Sequence, residues 1–181
     1  LPYDHGWGAS IHSIIAQSDG KIMTAGDFYV SPVATGFRSG VARLRSNGAR
    51  DPSFDPDAGL HLAGDKYNLR TARSVVLQAD GKYVIGGSFT GYDENTVPYI
   101  VRVNSNGTYD ASFTPPAFNG SIENLQVQPG GMIVAVGFFT SPANRIERLL
   151  PNGNVDATFQ QGSGPAGNLY SAAISPDGSI W

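Results

Sequence analysis

Two stretches of this 181-residue chain concentrate side-chain oxygens. Asp51-Pro52-Ser53-Phe54-Asp55-Pro56-Asp57 and Asp93-Glu94-Asn95 carry the hard oxygen ligands that suit Ca²⁺. Asp51 has counterparts at Asp110 and Asp156 in the same local setting, so it is read as serving the fold. That leaves Asp93 and Glu94 as weak metal candidates and Ca²⁺ as the one ion these residue types suit; no cofactor is expected. The three histidines, His5, His12 and His61, show no spacing that suggests a metal site or a nucleophilic triad. Catalysis is therefore not the expected activity. Three arginines, Arg43, Arg102 and Arg148, stand at matching places. Each guanidinium supplies five fixed donors, which suits a structural fork between neighbouring elements. The alternative is a ring of cations lining a central channel, open to an anionic ligand.

Aromatics supply the other chemistry. Tyr29, Phe37, Tyr67, Tyr92, Tyr99 and Phe118 fall in connecting segments, where they read as exposed plates for a sugar ring or a protein partner. Packing over the cores of their own loops is the competing reading.

These groups are positioned by a repeated phrase. Ser74-Val75-Val76-Leu77-Gln78-Ala79-Asp80-Gly81 runs into Lys82-Tyr83-Val84-Ile85-Gly86-Gly87-Ser88-Phe89, and related phrases recur before and after it. The first-turn glycines are Gly20, Gly81, Gly131 and Gly178, and a Phe follows the first three at eight residues: Phe28, Phe89 and Phe139. Second turns carry Gly48, Gly107 and Gly153, each with an Arg five before, an Asp three after and a Phe six after: Phe54, Phe113 and Phe159. The repeats span about 11–54, 74–113 and 121–159, with part of a fourth at about 170–181. Gly86-Gly87 alone would invite a phosphate-loop reading, but the recurrence of the phrase makes it a unit of fold.

Each unit reads as four antiparallel strands, A to D, with Asp-Gly and Asn-Gly turns expected as type I′ hairpins. Gly26, Gly87 and Gly137 are expected to let neighbouring units approach closely. Four strands at a period near 50 residues specify an all-β β-propeller of four-stranded antiparallel blades, three complete and one partial, as an open fragment of a larger ring. A parallel solenoid is the runner-up. Both ends of the sequence read as cut from a longer chain.

Composition agrees with such a fold. Hydrophobic residues make up 40% and charged residues only 15%, with 23 glycines. The net charge of −3 gives no electrostatic reason to expect nucleic acid. Cysteine is absent, which excludes disulfides and thiol chemistry. No apolar run approaches the ~20 residues of a membrane helix, so no membrane insertion is expected.

The phrase Leu77-Gln78-Ala79-Asp80-Gly81-Lys82, followed by Gly86-Gly87-Ser88-Phe89-Thr90, Arg102-Val103-Asn104-Ser105-Asn106-Gly107 and Asp110-Ala111-Ser112-Phe113, resembles the delta-60 repeat of bacterial and viral β-propeller proteins. The third copy departs from it, with Gly130 in place of the turn Asp and Val136 in place of a Gly. The resemblance implies a propeller in large, extracellular, cell-surface or virion-associated proteins, and no shared activity. All length variation falls in the B–C and D–A connections, which share one face. The reading is a scaffold and binding module that meets other protein chains of a larger assembly, or a surface glycan, through that face. A purely structural role in a particle or fibre is one alternative. A carbohydrate-active enzyme with its catalytic groups in absent blades is the other.

Overall fold

A computed structural model describes the backbone of residues 10–33, 36–57 and 59–181; side chains at 29–33, 36–39 and 65–69 lie outside the description. Every regular element in it is a β-strand. The first unit is a meander of β1 (Ser10–Ala16), β2 (Ile22–Val33) and β3 (Gly36–Leu44). After β4 (Leu60–Leu62) and β5 (Asp65–Leu69), the second unit is built from β6 (Ala72–Leu77), β7 (Tyr83–Gly87) and β10 (Ile100–Val103), with β8 (Gly91–Tyr92) and β9 (Asn95–Thr96) inserted before its last strand. The third is β11 (Ile122–Val127), β12 (Ile133–Gly137) and β13 (Ile146–Leu149).

The expected fourth strand is reduced to one bridged pair per unit: Leu44 with Arg50, Val103 with Tyr109 and Leu149 with Val155. The reason lies in the repeated Asp. Asp51 Oδ1 accepts from the Ser53 amide at 3.0 Å, and the Phe54 amide donates to Asp51 O at 3.2 Å. That turn bends the chain off the sheet immediately after the bridge. A fourth hairpin begins with the pair Ile174 and Ile180.

The hairpin turns also differ from the type I′ expectation. Among the four residues of Gln17 to Gly20 and of Gln78 to Gly81, only the glycine has positive φ, at 79° and 81°. Type I′ needs two such residues, whereas a type I turn followed by a left-handed Gly needs one. The Asp side chain still earns its place: Asp80 Oδ1 accepts from the Lys82 amide, as Asp19 Oδ1 does from Lys21. In the third copy Pro129 precedes Gly130, whose φ of 88° fits the type II pattern.

Gly26, Gly87 and Gly137 serve a different approach from the one expected. A Cβ at Gly87 would lie 2.2 Å from Thr71 O, and one at Gly137 2.2 Å from Ser121 O. Both neighbours belong to the same unit, where the first strand carries a bulge between Ala72 and Ser74 or between Ile122 and Asn124. The glycine that admits the next unit is Gly86, whose Cβ would fall 2.6 Å from Ile122 Cγ2.

Units pack through their first and second strands, with β6 lying against β1 and β2, and β11 against β6 and β7. The first strands therefore converge on the inner side. One apolar cluster joins Met23, Ala25 and Val41 to Val75, Ile85 and Val101; a second joins Val84 and Ile100 to Ile122, Leu125 and Ile133. Val75 and Leu125 are buried against the preceding unit, while the equivalent Ile14 is 61% exposed.

Candidate binding surface

The repeated Arg, Asp and Phe form one constellation per unit, and it is a joint. Arg102 Nε donates to Asp110 Oδ2 at 2.7 Å, Nη2 to Ser112 Oγ at 3.0 Å, and Nη1 to Pro151 O of the next unit at 2.8 Å. Its guanidinium carbon sits 4.9 Å from the centre of the Phe113 ring. Arg43 repeats the pattern on Asp51 and Ser53, and reaches Ser105 O at 2.6 Å. Arg148 pairs with Asp156 at 2.8 Å. Arg43 and Arg102 are buried, with their guanidinium donors spent on these contacts, whereas the Arg148 side chain is 23% exposed. Burial alone would raise the Asp51 carboxyl, but hydrogen bonds from Ser53 and Arg43 hold it at about 2. Asp110 is likewise buried, yet Lys82, Ser112 and Arg102 keep it well below the usual carboxylate range.

A second clamp lies beside each fork. The Asp55 amide donates to Asn106 O at 2.7 Å, and the Thr114 amide to Asn152 O at 3.0 Å. The Asn-Gly turn of one unit thus receives the chain leaving the unit before it. On the inner side, Ser13 Oγ accepts from the Val75 amide, Ser74 Oγ from Leu125 and Asn124 Oδ1 from Ala172.

The opposite face carries the differences between copies. Its connections are more ordered than the loops expected from sequence. In the first unit β2 and β3 continue as a paired ribbon, with Tyr29 opposite Ser39 and Phe37 within β3; their side chains, and that of Tyr67 on β5, lie outside the described residues. The connection between the first two units supplies β5 and β4, which join β8 and β9 of the second unit in a separate four-stranded sheet. Here sequence reasoning fails on Tyr92, which is fully buried and donates its hydroxyl to Gly107 O. Phe118 is also buried, edge-on to Phe139 at 4.7 Å, and Tyr99 is half-buried against the second cluster. These three are loop-core residues, because each connection has to bury its own apolar surface.

His61 pins this small sheet. Its Nδ1 lies 2.9 Å from Leu62 O and its Nε2 2.6 Å from Asp93 O. A Cβ at Gly91 would fall 2.3 Å from the imidazole, so only glycine fits there. The Asp93 carboxyl is raised, first by burial and then by the neighbouring Asp57 and Glu94. Among the described residues no three His, Asp or Glu side chains converge as a metal-binding group.

A row that sequence reasoning missed lies where the inner strands meet this face. The bulges place His12, Arg73 and Glu123 at equivalent positions. Arg73 Nη1 donates to His12 Nε2 at 3.3 Å, and Arg73 Nε lies 3.6 Å from Glu123 Oε2. Ser121 Oγ donates to Glu123 Oε1 at 2.6 Å. The fourth copy puts Tyr170 at this position, 70% exposed and edge-on to Phe138 at 5.1 Å. The signal in the sequence was available: each residue stands eight before a first-turn glycine, and its type changes while its neighbours repeat.

Glu147 is a buried carboxyl of another kind, opposite Ala135 in the third sheet. Burial raises it, the Arg148 amide lowers it, and Asp156 raises it. A carboxyl raised in the folded state opposes folding above its folded pKa, and that penalty fades as pH falls toward the unfolded value. Glu147→Gln is therefore expected to stabilise by on the order of 1 kcal/mol at pH 7. The gain should shrink toward pH 4 in paired thermal melts.

Repeated antiparallel units, joined side by side with their first strands inward, define a β-propeller. The profile of a domain of unknown function (DUF5122), described as a beta-propeller, matches residues 17–54, 78–113 and 128–159, and the chain belongs to that family. The three matched segments end at Phe54, Phe113 and Phe159. A solved chain described as PorZ, an essential bacterial surface component of the type-IX secretion system of Porphyromonas gingivalis, shares the fold at a TM-score of 0.52 and 14% identity. The match covers 92% of this chain and 23% of that one, so this chain spans less than a quarter of PorZ's length. No curated protein matches the sequence.

Proposed function

We propose that this chain is a non-catalytic scaffold and binding module of a larger secreted or cell-surface protein, and that it recognises a glycan or protein partner through the face bearing the B–C and D–A connections. One observation carries the reading. The hairpin face is nearly uniform from unit to unit, whereas the opposite face holds an added sheet, long connections and a rim of differing polar residues. A rigid scaffold that varies on one side is the usual arrangement of a recognition surface. The surface location described for PorZ is in keeping with it.

A glycan array probed with the intact protein tests the glycan form. Binding is expected for at least one surface glycan. It should survive Asn47→Ala on the hairpin face and weaken several-fold with Glu94→Lys in the β8–β9 turn. A blank array, or equal loss from both substitutions, would sink this form of the reading.

A further inference from the structure

The inner rim has the chemistry of a small-ligand site, and it lies apart from the Arg, Asp and Phe joints. We infer that His12, Arg73, Glu123 and Tyr170 form a subsite for a neutral pyranose sugar presenting two adjacent hydroxyls. This rests on the binding reading above and deepens its glycan form.

The Arg73 side chain is 38% exposed; Nη1 is held by His12, Nε is buried beside Glu123, and Nη2 takes part in no hydrogen bond described above. A guanidinium only donates, so a ligand at its exposed end must accept. Its neighbour Glu123 is 3.6 Å away, too far for a hydrogen bond, and a carboxylate only accepts. A group that accepts from Arg73 while donating to Glu123 satisfies both at once. A sugar hydroxyl does this, since it carries one donor and two acceptor lone pairs. An acidic sugar is disfavoured here, because its carboxylate would face Glu123. His12 Nε2, which accepts from Arg73 Nη1, extends the polar row by one more ring nitrogen.

Tyr170 supplies the apolar part. Its ring is held edge-on by Phe138, whose amide donates to Ser121 O at 2.9 Å. Ser121 in turn donates its hydroxyl to Glu123. The aromatic plate and the polar pair are thus linked through two residues. The C–H face of a pyranose can lie on such a plate while its hydroxyls reach Arg73 and Glu123. The β-bulges aim His12, Arg73 and Glu123 out of the regular pleat. Apart from the Arg73 contact with His12, none of the inter-unit hydrogen bonds described above uses these four side chains.

Saturation-transfer NMR on the intact chain, with methyl glucoside, methyl galactoside and methyl mannoside as separate probes, tests the subsite. At least one probe should bind, with its ring protons saturated most strongly. The matching methyl glucuronide should bind at least tenfold more weakly than methyl glucoside, or methyl galacturonide than methyl galactoside. Tyr170→Ala and Arg73→Met should each weaken the neutral sugar at least fivefold, and Tyr170→Ala should do so with the melting temperature unchanged. Glu123→Gln should narrow the neutral-over-acidic preference. No binding of any of the three probes overturns the inference, as does equal binding of the acidic sugar or tighter binding of an acidic peptide. If a variant unfolds, the neutral-over-acidic preference of the parent chain still decides. Glycan binding that is lost with Glu94→Lys but untouched by the rim substitutions would refute the rim site and leave the binding function standing.

Discussion

Arg102→Gln is expected to cost about 3 kcal/mol of stability, which for a chain of this size is a fall in melting temperature of roughly 6–12 °C. The substitution removes a buried partner of Asp110 and one of the hydrogen bonds to Pro151 O. It also takes away the cation over the Phe113 ring. Lys82 still reaches Asp110 at 2.8 Å, so the carboxylate keeps one cation and the loss stays short of complete unfolding. Differential scanning calorimetry of the two proteins checks it. An unchanged melting curve would return the arginines to a ligand-binding role. The same joint sets an acid limit. Asp51 and Asp110 have folded pKa values below their unfolded ones, so their stabilisation is present above about pH 4. It is lost as pH falls through the folded values, near pH 2 for Asp51. The gap between parent and Arg102→Gln should close over that range.

The second large effect is expected from a pair of glycines. Gly48 and Gly107 occupy the same turn position, with φ of 81° and 93°. A side chain strains both backbones about equally, at roughly 1 kcal/mol. Their surroundings differ. A Cβ at Gly107 would sit 2.8 Å from the Asp55 backbone, whereas nothing lies within 4 Å of one at Gly48. Gly48→Ala should therefore cost about 1 kcal/mol and Gly107→Ala about 3 kcal/mol, since the added methyl forces the preceding unit away. Chemical denaturation of both variants measures the difference. Equal costs would mean that the Asp55 to Asn106 clamp does not hold the units together in solution.

The repeat was legible because its signals are local. Turn glycines, the Asp or Asn before them, and the apolar runs each report the backbone near them, and together they specify sheets in series. Three features were not legible for physical reasons. Turn type depends on one φ angle, and Asp-Gly fits both a type I′ turn and a type I turn closed by glycine. The burial of Tyr92 and Phe118 depends on which connections meet in space, and β4 pairs with β8 across thirty residues of sequence. The β5-β4-β8-β9 sheet had no periodic phrase to announce it, since its strands are two to five residues long. The inner rim was hidden for the opposite reason. Its residues occupy a fixed place in the repeat, but their variation in type masks the place unless the copies are aligned on their glycines.

The joints also have a direction. On the inner side the earlier unit accepts through Ser13 or Ser74, and the later unit donates a backbone amide. On the outer side the earlier unit donates, through Arg43 or Arg102 and through the Asp55 or Thr114 amide, and the later unit accepts on its turn carbonyls. The two flanks of a unit are therefore a plug and a socket. Two plugs cannot mate, so units can add only in one sense. Ser105 O and Pro151 O play the same part, so the fork of one unit meets a backbone carbonyl of the next in both joints. A change in copy number by whole repeats keeps these backbone donors and acceptors matched, whereas gain or loss of part of a repeat leaves a plug with nothing to enter.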